Sequence, residues 1–596
     1  MLEVSDKKSR QTLLLFAVAI GIASAVCYHR TLEFPFHFDG EKQIVDNSQL
    51  GDLSWHHFPS GPRTLVTASW RLNYRTSGKN PFSYHLVNIA IHTTSGLLLF
   101  GLVYKTLRSQ DIPARYRDQA ALLAGIIALI WTVHPLQTQS VTYIIQRYES
   151  LMGLFFLLAF FCLACSVGSS RKWLWLAGCI VACYLAMVSK EVAVALPILL
   201  LWYDRTFISP SWKELVRSHF PLYVAALCTW LVFLPFANQS EQKLKADNVA
   251  YVVETSIVDG HVQERAITAW DYLLRQPQAI LLYLRLVFFP YGQSLDHGWR
   301  ATTTLVEAVL PGLLIFLLLG ATIWSTVHYP RFGFLGGWFF LILAPTSSIL
   351  PIKDVAVEHR MYLPSAAVLA FLILVVFEGL CRRYGSSKHS ISQVRRGVLI
   401  SGVAVALIFS GVTLVRNEVY RSKLGLWTDV TSKAPEYARG YYGLARAHID
   451  LKQFEPAIAS LQRAIELDPR YTDAYVSLGR IVHASQPEYA TQLFTAAVKV
   501  DPNSSEAHSN LGAMLTEKMP KLALVHYQQA IHLNEENADA HNNIANLFAR
   551  RGQFSEAVRH YEAALSIRPD FDQAAMNLET VRHLAIARDQ EQVNPN

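Results

Sequence analysis

The sequence is poor in charged residues. Asp, Glu, Lys and Arg together make up 17% of the chain, whereas soluble proteins usually carry about 25%. Apolar residues make up 52% of the chain, and the mean hydropathy is positive. This balance excludes an ordinary soluble protein and predicts a chain that crosses a lipid bilayer many times. No stretch concentrates Lys and Arg as a nucleic-acid-binding surface would, so no nucleic-acid partner is expected.

Cysteine is also scarce. All seven cysteines lie in or beside apolar segments, and none lies in a long loop or in the C-terminal third of the chain. This distribution excludes a disulfide framework and a cysteine-based metal site. Cysteines at helical spacing inside a membrane domain are best explained as small packing residues.

Eleven apolar segments are long enough, or nearly so, to cross a bilayer, which takes about 20 apolar residues. The basic clusters then all fall on the cytoplasmic side, provided that segment 272–290 lies on the outer face. The N-terminal basic residues also suit a signal peptide, but the ten later spans favour a retained first helix. The predicted spans are 12–29, 84–104, 119–134, 149–168, 172–188, 192–204, 219–237, 304–327, 332–350, 361–381 and 397–415.

From residue 438 the apolar runs give way to a 34-residue period. Small and aromatic residues recur in the order of the tetratricopeptide repeat (TPR), a helix pair that stacks into a solenoid. The first and fourth units match throughout, and units 472–504 and 505–537 match after one deletion each, near Pro487 and Pro520. The expected fold is all-α, a polytopic helical membrane domain followed by a TPR solenoid. The predicted division is 1–415 for the membrane domain with outer loops 30–83 and 238–303, 416–437 for a connecting half-repeat, 438–571 for four TPR units, and 572–596 for a capping helix and tail.

Five groups of polar residues lie at the predicted outer face. Ionisable residues beside lipid are costly and therefore mark candidate functional sites. The groups are Asp39, Glu41 and Asp46; His85, Asn88 and His92 on one helix face; Arg147 and Glu149; Lys190 and Glu191; and Glu358, His359, Arg360 and Tyr362.

Each group also has a plainer explanation. The loop acids could be solvated, and Ser189-Lys190-Glu191 could be a tight turn closed by an ion pair. The two histidines and the asparagine of the second span suit hydrogen bonds between helices better than a metal site. The arginines suit phosphate geometry, although Glu149 and Glu358 could be their partners.

Carboxylates and cations on one outer face suit an enzyme that uses a lipid-phosphate donor. The cations would hold the phosphate leaving group, and a carboxylate would deprotonate an acceptor hydroxyl. A transporter would instead place its charges at mid-span, in helices broken near the centre of the bilayer.

The sequence contains a series of motifs in a fixed order. They are Phe38-Asp39…Asp46-Asn47, Tyr84-His85-Leu86-Val87-Asn88-x-x-x-His92, His134-Pro135…Arg147, Ser189-Lys190-Glu191, Glu358-His359-Arg360-Met361-Tyr362-Leu363-Pro364-Ser365 and Arg416-Asn417. This order, with the C-terminal repeats, resembles the transmembrane and tetratricopeptide repeat-containing (TMTC) family of protein O-mannosyltransferases, within the GT-C class of glycosyltransferases. The resemblance covers nearly the whole chain.

The resemblance implies transfer of a sugar, usually mannose, from a polyprenyl- or dolichyl-phosphate to Ser or Thr hydroxyls, with inversion and without a metal or other cofactor. It assigns the catalytic acid of the first outer loop to Asp39. Related enzymes carry two adjacent acids there, whereas this chain has Gly40 and then Glu41, which is the candidate for the second acid. The candidate phosphate ligands are Arg147, Lys190, His359 and Arg360, and His85, Asn88, His92, Glu191, Glu358 and Tyr362 are further site candidates.

The TPR array would then bind the acceptor protein. Asparagine at its concave positions can bond a peptide backbone through both amide atoms, although ordinary solvated residues explain these positions equally well. The candidate acceptor-binding residues are Arg446, Arg480, Asn510, Asn543 and Asn546.

Two other functions stay open from the sequence. Because Gly40 stands where related enzymes have a second acid, the protein could be an inactive, membrane-anchored scaffold. It could also be a transferase for lipid or polysaccharide glycans, which would use the same membrane chemistry but would give the TPR array no function. The N-terminus is expected in the cytoplasm and the TPR domain outside it. Outer regions without cysteine favour a bacterial homologue in an inner membrane, while sequons at Asn238 and Asn503 allow an endoplasmic reticulum membrane.

Overall fold

The computed structural model describes residues 2–47, 50, 63–233, 253–258, 261–301, 303–348, 352, 354–384 and 388–593. The chain divides into two compact units. The first consists of Met1–Glu254 with Arg265–Lys433, and the second of Thr255–Glu264 with Ala434–Asn596.

The first unit is helical. Its helices are Leu2–Tyr28, Thr64–Ser77, Pro81–Leu107, Ala114–Arg117, Ala120–Val133, Thr138–Thr142, Arg147–Ser166, Lys172–Met187, Leu196–Phe207, Trp212–Cys228, Ala269–Phe288, Leu305–His328, Pro330–Leu343, Pro364–Tyr384, Lys388–Glu418 and Lys423–Lys433. Short 3-10 turns lie at His29–Glu33, Pro135–Gln137, Ile144–Gln146, Glu191–Ala195, Thr229–Phe233, Glu358–Met361 and Val419–Arg421, and a π-helical turn lies at Glu41–Val45. The strands seen among the described residues, Val253–Val258 and His261–Ala266, form one two-stranded sheet, and the all-α expectation is otherwise confirmed.

Every predicted span overlaps a described helix, although 332–350 continues past the helix Pro330–Leu343, and the apolar helices identify a membrane protein. By length and composition, seven described helices could each cross a bilayer, and the pair Ala120–Val133 and Pro135–Thr142, bent by 52°, could form an eighth span. Helices Lys172–Met187 and Pro330–Leu343 are apolar but shorter. Eleven crossings therefore stay a prediction. The seven are Arg10–Glu33, Pro81–Leu107, Ile144–Ser166, Trp212–Phe233, Leu305–His328, Pro364–Tyr384 and Ser390–Arg421.

Local sequence explains where the helices near the site begin. The Asn80 side chain accepts a hydrogen bond from the Phe82 N–H, and Pro81 takes the first helical position, where a missing N–H costs nothing. Helix Ala269–Phe288 begins with a capping box between Thr268 and Asp271. This helix corresponds to the segment predicted to lie on the outer face.

The membrane helices approach closely where glycine faces an aromatic ring. A Cβ on Gly125 would lie 2.2 Å from the Phe16 ring, and a Cβ on Gly153 would lie 2.6 Å from the Tyr362 ring. Larger residues at these two positions would push the helices apart. Small residues serve the same purpose in other membrane helix bundles, where packing rather than water exclusion drives association.

The second unit contains four consecutive helix pairs. Ala445, Ala457 and Ala464 of the first pair are fully buried, as the repeat pattern requires. In the two middle pairs the second helix begins at Pro487 and Pro520, one residue early, which accounts for the deletions in the sequence. The pairs are Ala438–Asp450 with Phe454–Leu467, Thr472–Val482 with Pro487–Val500, Ser505–Leu515 with Pro520–Leu533, and Ala538–Arg550 with Phe554–Ile567, and helix Asp572–Val593 follows.

Candidate active site

The loop after the first span, predicted to be an outer loop, is fastened to the segment that follows helix Lys388–Glu418. His37 Nε2 donates a hydrogen bond to the Tyr420 carbonyl oxygen at 2.7 Å. The Phe38 ring packs edge-on against Trp427, with ring centroids 5.5 Å apart. The contacts of His37 and Phe38 therefore hold the backbone on which Asp39 lies.

Asp39 is half-buried, and its backbone N–H donates to the Tyr143 hydroxyl at 3.3 Å. Burial, and next the nearby Asp39 carboxylate, raise the pKa of Tyr143 well above its usual value, so this phenol stays protonated. The preceding residue, Phe38, has a φ of 44°, in the left-handed region that non-glycine residues seldom adopt. Such strain persists only where the surrounding contacts enforce it, and it is common at functional sites.

The other acids of the loop have different surroundings. Glu41 forms an ion pair with Lys423, whereas Asp46 is exposed. Gly40 has ordinary right-handed helical dihedrals, and a Cβ there would lie 3.7 Å from the Phe36 ring, a normal contact. Neither the backbone nor the available space therefore requires glycine at position 40.

Lys190 and Glu191 pair with residues from elsewhere rather than with each other. Lys190 forms a buried ion pair with Glu149, which begins a different helix. Arg63 Nη2 donates to Glu191 Oε1 at 2.8 Å, and its guanidinium carbon lies 4.8 Å from the centre of the Tyr148 ring. Burial alone would raise the pKa of Glu191, but Arg63 and then Lys190 lower it, so this carboxylate is charged.

His359 belongs to the same cluster. Burial, then Lys190, Arg360 and Arg63, lower the pKa of His359 well below its usual value, so the ring is neutral. Its backbone N–H donates to Gln139 Oε1 at 2.8 Å, and its Nδ1 atom is buried without a hydrogen-bond partner among the described residues. A neutral imidazole can donate one hydrogen bond to an incoming anion.

Tyr148 joins the acidic loop to these cations. Its hydroxyl donates to Gln43 Oε1 at 3.0 Å, while its ring lies under Arg63. We call the group of Asp39, Arg63, Tyr148, Lys190 and His359 the outer site. It sets the Asp39 carboxylate and two cations, each paired with a glutamate, around a tyrosine. It includes three residues that the sequence singled out, and its name refers to the face on which the sequence predicts it.

Arg147 lies outside the outer site. Its side chain is completely buried. All three guanidinium nitrogens donate to protein oxygens, which belong to Asn88, Ser69, Asn73 and the Tyr84 carbonyl, at 2.7–3.0 Å. These contacts engage four of its five N–H groups and favour a structural role, while the assignment of Arg147 to phosphate binding stays a prediction.

Arg360 and Glu358 also have structural partners. The Arg360 guanidinium donates to the backbone carbonyls of Thr346, Asp354 and Val355 at 2.6–3.2 Å. It therefore holds the loop before the Glu358–Met361 turn, and its assignment to phosphate binding stays a prediction. Glu358 does not pair with Arg360. Its carboxylate accepts hydrogen bonds from the side chains of Gln293 and His297 and from the Ser294 N–H.

The polar face of the second span forms hydrogen bonds between elements. His92 Nε2 donates to the Thr132 carbonyl at 2.9 Å, so its Nδ1 accepts from the Tyr362 hydroxyl at 3.0 Å. His85 Nε2 donates to the Phe34 carbonyl, and Asn88 Nδ2 donates to the Val141 carbonyl. Within the described ranges no three His, Cys, Asp or Glu side chains come together as a metal site.

The TPR unit has a cavity of its own, of about 570 Å³, lined by Arg446 and Arg480 together with Ser477 and several acids. The predicted asparagines are partly used within the repeats. Asn546 Oδ1 accepts from the Tyr561 hydroxyl and from Asn577, Asn543 Oδ1 accepts from Asn542, and Asn510 Nδ2 donates to the Glu506 carbonyl.

Sequence reasoning missed Arg63, Tyr148 and Gln43. Arg63 stands before helix Thr64–Ser77, which was not foreseen because its sequence is polar and too short for a span. Arg63 and Glu191 are 128 residues apart in the chain. The predicted outer loop 30–83 also contains Arg30, Lys42, Arg71, Arg75 and Lys79, so no sequence signal singled out Arg63.

A helical membrane unit with a polar site, joined to a TPR unit, defines the class of this protein. The tetratricopeptide repeat family model matches residues 438–471 and 538–571, the first and fourth predicted units. The repeat prediction is thereby confirmed.

Named relatives confirm the resemblance to the TMTC family. Protein O-mannosyl-transferase Tmtc3 from Drosophila melanogaster is 26% identical over 79% of this chain and 57% of its own length. Human protein O-mannosyl-transferase TMTC1 is 25% identical over 78% of this chain and 56% of its own length, and human TMTC4 is 25% identical over 72% and 63%. The chain thus spans less than two thirds of the length of each of these relatives.

Solved structures resemble smaller parts of the chain. The MamA protein is 24% identical over 26% of this chain and 86% of its own, with a TM-score of 0.23. TTC0263, a thermophilic TPR protein from Thermus thermophilus, is 21% identical over 28% of this chain and 91% of its own, with a TM-score of 0.24.

Proposed function

We propose that this protein is a membrane O-glycosyltransferase that moves a sugar, usually mannose, from a polyprenyl- or dolichyl-phosphate to Ser or Thr of a protein bound by its TPR unit. The outer site is the observation that supports this proposal most. It offers a carboxylate for the acceptor and cations for the donor phosphate, and the named relatives are protein O-mannosyl-transferases.

Asp39 acts as the general base. A Ser or Thr hydroxyl is a poor nucleophile at neutral pH, and a positioned carboxylate that accepts its proton typically accelerates attack by about 10²–10⁴-fold. The hydroxyl oxygen forms its bond to the anomeric carbon as the bond from that carbon to the phosphate oxygen breaks. The electron pair leaves with the lipid phosphate, and attack from the opposite side inverts the sugar.

Lys190, Arg63 and His359 stabilise the departing phosphate. Charge develops on the phosphate oxygens in the transition state, where fixed donors contribute most. Among the described residues the Lys190 ammonium has one acceptor, Glu149, which leaves donors for a phosphate oxygen. Arg63 is half-exposed beside Glu191 and can share its guanidinium with a ligand. In this proposal Lys190, Arg63 and His359 compensate the charge of the leaving phosphate. Arg147 and Arg360 are left out because their N–H groups donate to protein oxygens.

The donor part of the proposal is tested with the full chain in liposomes, polyprenyl-phosphate mannose and a Ser/Thr-rich protein acceptor. Intact-mass spectrometry should show hexose on the acceptor. The double variant Glu149→Gln with Lys190→Gln removes both charges of the buried pair without leaving either unpaired. We expect this variant to fold and to raise the KM for the donor at least tenfold.

The control for this experiment is Lys172→Gln, a lysine at the first position of helix Lys172–Met187. It should transfer sugar like the wild type. An acceptor that binds tightly but never gains mass with any lipid-linked sugar would instead identify the inactive scaffold.

A further inference from the structure

A cavity of about 340 Å³ lies in the membrane unit, away from the outer site. It is bounded mainly by helix Pro330–Leu343 and by two longer helices, Pro81–Leu107 and Pro364–Tyr384. Both helices begin near the outer site, where Tyr84 and the Glu358–Met361 turn lie, and both end at the mouth of the cavity, beside Leu107 and Arg382. The mouth is therefore at the opposite end of the helices from the outer site.

The wall of this cavity is apolar. From Arg382 back to Ala366, the lining residues of one helix extend over about 24 Å, at 1.5 Å per residue. That length exceeds half of a hydrocarbon core of about 30 Å. A straight hydrocarbon chain would remove this wall from contact with solvent, and the volume lies in the usual range of ligand sites. Six of the wall residues are Leu99, Leu102, Val103, Phe160, Trp338 and Ala370.

The mouth of the cavity carries excess positive charge. Arg115, Arg331 and Arg382 line it together with one carboxylate, Glu378, so three guanidinium groups and one carboxylate leave two positive charges. Glu378 forms ion pairs with Arg115 and Arg382, with N–O distances of 2.9 and 2.8 Å, which gathers both guanidinium groups at one point. Their side chains are 43% and 76% exposed, so N–H groups are available to an outside anion.

We propose that this cavity binds an anionic phospholipid, with the phosphate on Arg115, Arg331 and Arg382 and an acyl chain along the apolar wall. Guanidinium groups match the oxygen geometry of phosphate and bind it in bidentate fashion. Basic pockets between membrane helices are suited to lipid head groups. A soluble anion would use the arginines and leave the wall empty, and a neutral lipid would use the wall and leave the charge uncompensated.

The test measures lipid retention by native mass spectrometry. The full-length protein is delipidated in detergent, then mixed with phosphatidylglycerol or with phosphatidylcholine. We expect one phosphatidylglycerol to be retained at least tenfold more tightly than phosphatidylcholine. The triple variant Arg115→Gln, Arg331→Gln and Arg382→Gln should lose this preference.

A matched control removes the same charge without touching the cavity. Arg117, Arg383 and Arg395 do not line the cavity, so Gln at these three positions should leave lipid retention unchanged. A second variant, Ala370→Phe, fills the wall but keeps every arginine, and it should weaken retention by itself. If the triple variant does not fold, Ala370→Phe still tests whether the lipid occupies this cavity.

Three results would overturn the proposal. Equal loss in the control variant would show that net charge alone holds the lipid. Equal retention of phosphatidylcholine would show that the arginines have no part. Displacement of the lipid by millimolar inorganic phosphate would show a site for a soluble anion.

Discussion

A guanidinium in an apolar bundle must find an acceptor for each of its N–H groups, because an unsatisfied buried donor costs about 1–3 kcal/mol. Arg147 satisfies four of its five N–H groups through two asparagines, a serine and a backbone carbonyl. Arg63, by contrast, is half-exposed and pairs with a single carboxylate. The sequence singled out Arg147 and missed Arg63, and it is their partners in the structure that favour a structural role for the first and a ligand-binding role for the second.

The variants Arg147→Met and Arg63→Met test this difference. Arg147→Met leaves three buried acceptors and the half-buried Ser69 hydroxyl without their donor, so we expect the free energy of unfolding to fall by about 3–5 kcal/mol. Arg63→Met breaks an exposed pair worth about 1 kcal/mol or less but should raise the KM for the lipid donor. Thermal unfolding in detergent and donor titration separate the two effects. An Arg147→Met protein with normal stability and impaired donor binding would restore the sequence-based assignment.

At the scale of elements, the loop that carries Asp39 depends on a neutral, buried His37. Burial, and to a smaller extent Lys423, lower the pKa of His37 from 6.5 to about 4. Between about pH 6.5 and pH 4 the unfolded chain therefore binds a proton that the folded chain excludes. The stability contributed by His37 is complete above about pH 6.5 and is lost as the pH falls toward 4.

This linkage predicts a specific acid sensitivity. A shift from 6.5 to about 4 corresponds to a loss on the order of 3 kcal/mol once the pH is below both values. His37→Gln keeps an N–H donor for the Tyr420 carbonyl but cannot titrate, so its unfolding temperature should fall less between pH 7 and pH 5. The exposed His29→Gln is the control and should behave like the wild type. An unchanged acid response in His37→Gln would assign that response to other groups.

Much of the element plan could be predicted from the sequence, because apolar runs and a 34-residue period are local signals. The partners of charged side chains are not local. Glu41 pairs with Lys423, and Lys190 pairs with Glu149 rather than with its neighbour Glu191. For that reason the sequence could place Asp39, Lys190 and His359 on one predicted face. It could not show that the Arg147 side chain is bonded to protein oxygens, whereas Arg63 lies beside Lys190 and His359. The sequon at Asn238 lies outside the described residues.

At the scale of the whole molecule, we propose that the TPR unit binds the acceptor protein while the membrane unit transfers the sugar. The cavity lined by Arg446, Ser477 and Arg480 is the candidate acceptor surface of the TPR unit. Ser477→Trp would fill it with a large side chain. We expect transfer to a protein acceptor to fall at least tenfold, while transfer to a short free peptide at high concentration stays near the wild-type rate.

Thr495→Trp is the matched control, because Thr495 is exposed in the neighbouring helix and does not line the cavity. It should leave both reactions unchanged. If Ser477→Trp reduced transfer to the protein and to the peptide equally, the cavity would have no separate role in acceptor capture.

The central claim is that Asp39 alone is the catalytic base, and a comparison of single-turnover sugar transfer in three variants tests it most directly. Asp39→Asn should keep the fold and the donor affinity but slow transfer by about 10²–10⁴-fold. Glu41→Gln should transfer within a few-fold of the wild type, because its carboxylate is paired with Lys423. Asp46→Asn, an exposed aspartate of the same loop, serves as the control. Transfer by Asp39→Asn at the wild-type rate, or loss of activity in Glu41→Gln alone, would contradict the account.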